Sequence, residues 1–82
     1  IIAIDLDADR LTLAQSLGAT HVINASSANV PAQVQALTNG RGADVSFEVV
    51  GSGPTVKTAI ECVRKGATVT LVGNLAPSVE IP

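Results

Sequence analysis

An α/β fold with a doubly wound parallel sheet follows from three features of these 82 residues. First, short β-branched runs without strict alternation recur along the chain: "IIAID", "HVINA", "ADVSFEVVG" and "ATVTLVG". Strands covered on both faces read this way. Second, an amphipathic stretch separates each run from the next. The resulting strand–helix units of roughly 20–25 residues, three in succession, suit right-handed βαβ crossovers. Third, 46% of the residues are apolar while Phe47 is the only aromatic, so Val, Ile, Leu and Ala must build the core.

The first run, residues 1–5, is a strand that stops abruptly on Asp5. Asp7 is placed to cap a helix over 7–17, with Leu13, Ala14 and Leu17 on one face. Gly18 suits the left-handed position just past its end. Residues 21–25 form the second strand, followed by the polar loop "SSAN". A helix near 30–38 comes next, with Val30, Val34 and Leu37 at i, i+4 and i+7 and Asn39-Gly40 as its stop. Residues 43–51 are the third strand. Pro54 opens a helix over about 54–65. Val56, Ala59, Ile60 and Val63 form its apolar stripe, Arg64 and Lys65 favour its C-terminal end, and Gly66 closes it. Residues 67–73 make the fourth strand, and "SVEIP" at 78–82 begins a fifth.

Composition removes several function classes. A net charge of -2 with five scattered Lys and Arg residues leaves no electrostatic footprint for nucleic acid, and the stacking aromatics are missing. The longest apolar run is four residues, so neither a membrane span nor a signal peptide is expected. Cys62 stands alone, which excludes an internal disulfide and fits a reducing, cytoplasmic compartment. One Cys and one His do not assemble a zinc site, so any metal chemistry is expected outside this chain.

Asp5 is the residue that most invites a function. Ligands of doubly wound sheets bind at the carboxyl ends of strands, and a carboxylate there can accept hydrogen bonds from both hydroxyls of an adenosine ribose. It would also repel a 2′-phosphate, favouring NAD over NADP. The glycine-rich phosphate loop belongs about 20 residues earlier, before Ile1. On the residues alone, Asp5 and Asp7 could equally end a strand and cap a helix. Other tempting groups point nowhere in particular. His21 has no evident acid or nucleophile partner, Cys62 reads as a small core residue, and Arg41 between two glycines reads as a solvated turn. Asp44 and Glu48 share a strand but lack facing partners for paired-carboxylate chemistry.

The ordered set "IDLDADRLTLAQSLGATHVINA", "GRGADVSFEVVGSGPTV" and "GATVTLVGN" resembles the coenzyme domain of the zinc-dependent medium-chain alcohol dehydrogenases over essentially the whole chain. That family shows an acid ending its second strand, a basic residue five positions on, an "LGA" helix end, a "GAD…E…G" strand and a glycine-ended strand. The resemblance implies a partial Rossmann-like doubly wound parallel sheet carrying NAD. Asp5 would hold the adenosine ribose, with Arg10 reaching the same hydroxyls or a nearby phosphate. Leu6 and Val50 would sandwich the adenine, and Val49 and Gly51 would line the same crevice. Val72, Gly73 and Asn74 would face the nicotinamide, although family members often carry an apolar residue where Asn74 stands.

The family orders its sheet 3-2-1-4-5-6. This chain would supply strands two to five and the start of six, but not the central strand one. Ile2, Ile4 and the "ADVSFEVV" strand should then present unpaired apolar edges. The resemblance thus implies residues 1–82 of a longer enzyme acting on an alcohol or polyol, with zinc bound elsewhere, in a homo-oligomer that pairs near residues 78–82 and beyond. No catalytic residue is expected within the chain. Three rivals differ in kind. A zinc-free quinone reductase would use NADPH and lack the ribose acid. A methyltransferase would carry an Asn/Asp-Pro-Pro-aromatic motif where "EVVG" stands. A receiver-like interaction module would end its central strand on a phosphoacceptor Asp rather than on Val50-Gly51.

Overall fold

A computed structural model describes residues 1–26 and 29–72. Strands and helices alternate through them: β1 (Ile2–Asp5), α1 (Ala8–Ser16), β2 (His21–Asn24), α2 (Val30–Leu37), β3 (Ala43–Glu48), α3 (Gly53–Glu61) and β4 (Val63–Leu71). The fifth strand expected at 78–82 lies outside the described residues, as do Gly73 and Asn74.

The sheet is divided. β1 pairs with β2 and β3 with β4, both in parallel, and no ladder joins β1 to β3 among the described residues. The break falls where the expected strand order leaves a gap. Ile4 of β1 and Val45 and Phe47 of β3 are exposed, as that gap requires, while Ile2 packs against the core.

The two pairs share one small core. Ile23 of β2, Val30 and Val34 of α2 and Cys62 beyond α3 are buried together, with Ile2, Ala25 and Ala43 packed around them. Helix α2 is therefore the piece that holds the halves together. Each helix starts on a side-chain cap: Asp7 for α1, Asn29 for α2 and Ser52 for α3. Such caps satisfy amide groups that the first turn leaves without partners. Pro31 and Pro54 lie in first turns, where a missing N–H costs nothing.

Two expectations need correction. In α1 the buried residue is Leu11; Leu13 and Leu17 face away from the sheet, and Leu17 is 79% exposed. Helix α1 carries leucines on more than one face, and only its side toward β1 and β2 has anything to pack on. In α3 the helix ends at Glu61, not near residue 65. The Cys62 carbonyl accepts the Ala43 N–H at 2.8 Å, which draws Val63 into β4 beside Ala43. Gly42 permits this approach: a Cβ there would stand 2.9 Å from the Arg64 nitrogen and 3.0 Å from the Val63 carbonyl carbon. Arg64 and Lys65 thus lie in a strand, and Gly66 (φ +78°) sits in its irregular stretch instead of closing a helix.

Candidate functional site

The candidate residues fall into two groups, each at the carboxyl end of a strand. At the end of β1, Asp5 Oδ1 accepts the Asp7 N–H at 3.0 Å and turns the chain toward α1. Asp7 Oδ1 then accepts the Asp9 and Arg10 amides at 2.8 and 3.4 Å. Asp7 is therefore the cap, and Asp5 is not. Asp5 is half-buried, and its Oδ2 has no partner among the described residues. Leu6, directly after it, is exposed. Arg10 Nε stands 3.9 Å from Asp7 Oδ2 with both side chains well exposed, a loose pair of small energetic weight. The guanidinium thus remains close to the strand end but engages Asp7.

The second group gathers around Glu48, whose role the sequence reading passed over. Glu48 ends β3 and is 4% exposed. Its Oε1 accepts the Val50 and Gly51 amides, the latter at 2.7 Å, and the Thr55 hydroxyl at 3.1 Å. Burial pushes this carboxyl up, but the Gly51 and Val50 amides and the Thr55 hydroxyl outweigh it and hold the group below its ordinary range. Oε2 is buried without a hydrogen-bond partner among the described residues. The Glu48 carbonyl also accepts the Val72 N–H at 2.7 Å. One residue thus binds the Val49–Gly51 turn to Val72. Val49, Val50 and Val72 are exposed, and Gly51 is buried at φ +85°.

Among the described residues no hydrogen bond or ion pair links the Asp5 group to the Glu48 group. The signal for Glu48 was an acid ending a strand directly before the Val49–Gly51 turn; its burial was not readable. Asp44, on the same strand, faces solvent and pairs with Arg64 at 2.9 Å, so the two acids do not act together.

His21 and Cys62 lie outside both groups. The only histidine, His21, approaches the Thr20 hydroxyl through Nδ1 at 3.1 Å, at the edge of an open depression of about 440 Å³ between α1, β2 and α2. That depression contains none of the candidate residues. Cys62 is buried in the shared core; burial, with a smaller push from Glu61, raises its thiol above the ordinary range, as for an inert core cysteine. Among the described residues no cluster of three or more His, Cys, Asp or Glu could hold a metal ion, and no helix is long and apolar enough to cross a membrane.

The architecture recurs in known proteins. The family described as zinc-binding dehydrogenase matches residues 1–82. The sorbitol dehydrogenase of Bacillus subtilis is 38% identical over 82 residues, covering 100% of this chain and 23% of that protein. An alcohol dehydrogenase of Cupriavidus necator is 35% identical over 82 residues, which is 22% of its length. Among solved structures, the alcohol dehydrogenase TADH from Thermus sp. ATN1 superposes with a TM-score of 0.92 at 43% identity, covering 100% of this chain and 24% of that one. Benzyl alcohol dehydrogenase from Acinetobacter calcoaceticus gives 0.91 at 31% identity, over 100% of this chain and 23% of that one. The chain thus spans about a quarter of the length of these relatives, and with a family match over every residue it belongs to the zinc-binding dehydrogenases.

Proposed function

We propose that this chain is the coenzyme-binding part of an NAD(H)-dependent, zinc-type alcohol or polyol dehydrogenase. The observation that carries the reading is Asp5. It ends β1, it is not the helix cap, and it keeps an acceptor oxygen beside an exposed leucine. A carboxylate so placed suits the vicinal hydroxyls of a ribose.

The residues present fit a dinucleotide. Asp5 would take the adenosine ribose, with Arg10 near the same hydroxyls. Leu6 and Val50, both exposed, would sandwich the adenine, and Val49 and Gly51 would line the same crevice. Val72, with Gly73 and Asn74 following in sequence, would face the nicotinamide. NAD, when bound, supplies the acceptor for a hydride from the alcohol carbon. The contribution of this chain is to bind and orient it. Zinc does not fit the described residues, which offer no ligand cluster, so its ligands would belong to other parts of a longer protein. Residues 1–82 alone should not turn over substrate, and the whole enzyme would be a cytoplasmic homo-oligomer. The quinone-reductase reading is disfavoured by Asp5, which would repel the 2′-phosphate of NADPH.

The intact mass of the gene product is the first measurement, followed by titration of that product with NADH and NADPH. A mass several times that of residues 1–82, with NADH bound more tightly than NADPH, is expected. A native product of 82 residues, or a preference for NADPH, would sink the reading.

A further inference from the structure

Glu48 has no assigned task in the cofactor reading, yet among the described residues it is the buried charged side chain. We infer that Glu48 is a positioning residue for the cofactor crevice, its buried carboxylate fixing the Val49–Val50–Gly51 backbone and its carbonyl fixing Val72. The inference rests on the cofactor reading, which places those four residues against the dinucleotide.

The geometry leaves little latitude. Three donors converge on Oε1, two of them consecutive backbone amides of the turn. The third, the Thr55 hydroxyl, belongs to a reciprocal cap. Ser52 Oγ and Thr55 Oγ1 are 2.7 Å apart, the Ser52 N–H donates to Thr55 Oγ1 at 3.3 Å, and the Thr55 N–H donates to Ser52 Oγ at 3.3 Å. The end of β3, the turn and the first turn of α3 therefore form one hydrogen-bonded unit. Val49 and Val50 project from it into solvent, while Gly51 is held at a φ that disfavours any other residue. Val72 joins the unit through the Glu48 carbonyl. A site of this kind needs its backbone set before the ligand arrives, because ordering a loop on binding subtracts from affinity. A charged acceptor does this better than a neutral one.

The test uses the intact gene product. Glu48→Gln keeps the size and an acceptor but removes the charge, and it puts an amide donor where Oε2 has no partner. Calorimetric Kd values for NADH, and for AMP as the adenosine half alone, should both rise about fivefold. Hydrogen exchange at the Val50 and Gly51 amides should accelerate with them. Thr55→Val removes the third donor together with the hydroxyl's share of the cap to Ser52 and should raise both Kd values about twofold, while Thr55→Ser, which keeps the hydroxyl, restores them. The Thr55 pair decides the matter if Glu48→Gln does not fold. A folded Glu48→Gln protein with faster amide exchange but unchanged affinity for both ligands would make Glu48 a plain brace and overturn the inference. Weaker binding with the two amides still protected would overturn it as well. If the unaltered protein binds neither NADH nor AMP, the cofactor reading itself fails and takes the inference with it. Binding that Glu48→Gln leaves intact defeats the inference alone.

Discussion

The two halves of the molecule end their first strands on the same kind of residue and use it in opposite ways. β1 ends on Asp5, half-buried and with one carboxylate oxygen open among the described residues. β3 ends on Glu48, buried, with three donors gathered on one oxygen. Each acid precedes a helix, yet neither is that helix's cap, since Asp7 and Ser52 take those positions. A carboxylate at a strand end is thus not one signal. Partial burial with one carboxylate oxygen unengaged among the described residues leaves Asp5 available to a ligand, whereas burial commits Glu48 to the backbone that a ligand would meet.

The comparison holds only if the halves are one folding unit, and the largest expected effect tests the junction that positions β3 against β4. Gly42→Ala forces a Cβ to within 2.9 Å of backbone at φ +91°. Left-handed strain and overpacking together should cost about 3 kcal/mol in a urea unfolding experiment. A loss below about 0.5 kcal/mol, the level of an ordinary surface change, would mean that the close approach of Gly42 to the α3–β4 junction does not hold the second half in register.

Val34→Ala comes next, at about 2 kcal/mol. Val34 is 2% exposed and lies in the core that Ile23 of one half and Cys62 of the other share. Amide protection should fall in both strand pairs together. Protection lost in one pair alone would show that α2 does not couple them. Leu17→Ala, at a position 79% exposed, serves as the control and should stay within about 0.5 kcal/mol.

Asp5 and Glu48 separate by readout. Asp5→Asn should weaken NADH binding about tenfold, a loss of about 1.4 kcal/mol in affinity, while leaving the urea midpoint nearly unmoved. A midpoint shift as large as the affinity loss would make Asp5 structural too and erase the contrast between the halves. Glu48 should instead show itself in pH dependence. Its carboxyl is held below the ordinary range by the Gly51 and Val50 amides and the Thr55 hydroxyl, against burial, so its contribution to stability is present above the unfolded value of about 4.3. That contribution is lost as the pH falls through the lower folded value. Urea midpoints from pH 7 down to pH 3 should therefore drop more steeply in the unaltered protein than in Glu48→Gln. Parallel curves would remove the buried-acid half of the comparison.

Much of this architecture was legible because its causes are local. The first three β-branched runs, the Asp7 cap and Gly18 beyond α1 depend on neighbours within a turn, and each begins where the sequence put it, within a residue. Asp5 was legible for the same reason, since a strand end followed at once by a helix start is a local pattern. What failed depends on distant partners. The end of α3 is set by Ala43, nineteen positions before the Cys62 carbonyl it bonds. Choosing Leu11 over Leu13 and Leu17 required knowing which side of α1 meets a sheet. Glu48 needed both kinds of information: its spacing to Val50 and Gly51 is local, but its burial comes from α3 folding back over β3.

The smallest expected effect lies at the other end of β3, and it sharpens the comparison by supplying an acid that does neither job. Asp44 Oδ1 accepts from Arg64 Nε at 2.9 Å, with the two side chains 78% and 39% exposed. A good distance does not make such a pair strong, because solvent screens it and two flexible side chains must be held in place. Asp44→Asn should cost less than about 0.5 kcal/mol in water and nothing measurable in 1 M salt, where screening acts over only about 3 Å. It should also leave the Kd for NADH unchanged, since Asp44 sits at the amino end of its strand and not at the carboxyl end where the candidate site is built. A loss above 1 kcal/mol that persists in salt would mean that this pair, rather than the Gly42 approach and the Ala43–Cys62 hydrogen bond, fixes the register of β4. The irregular stretch through Gly66 would then be held by charge and not by backbone.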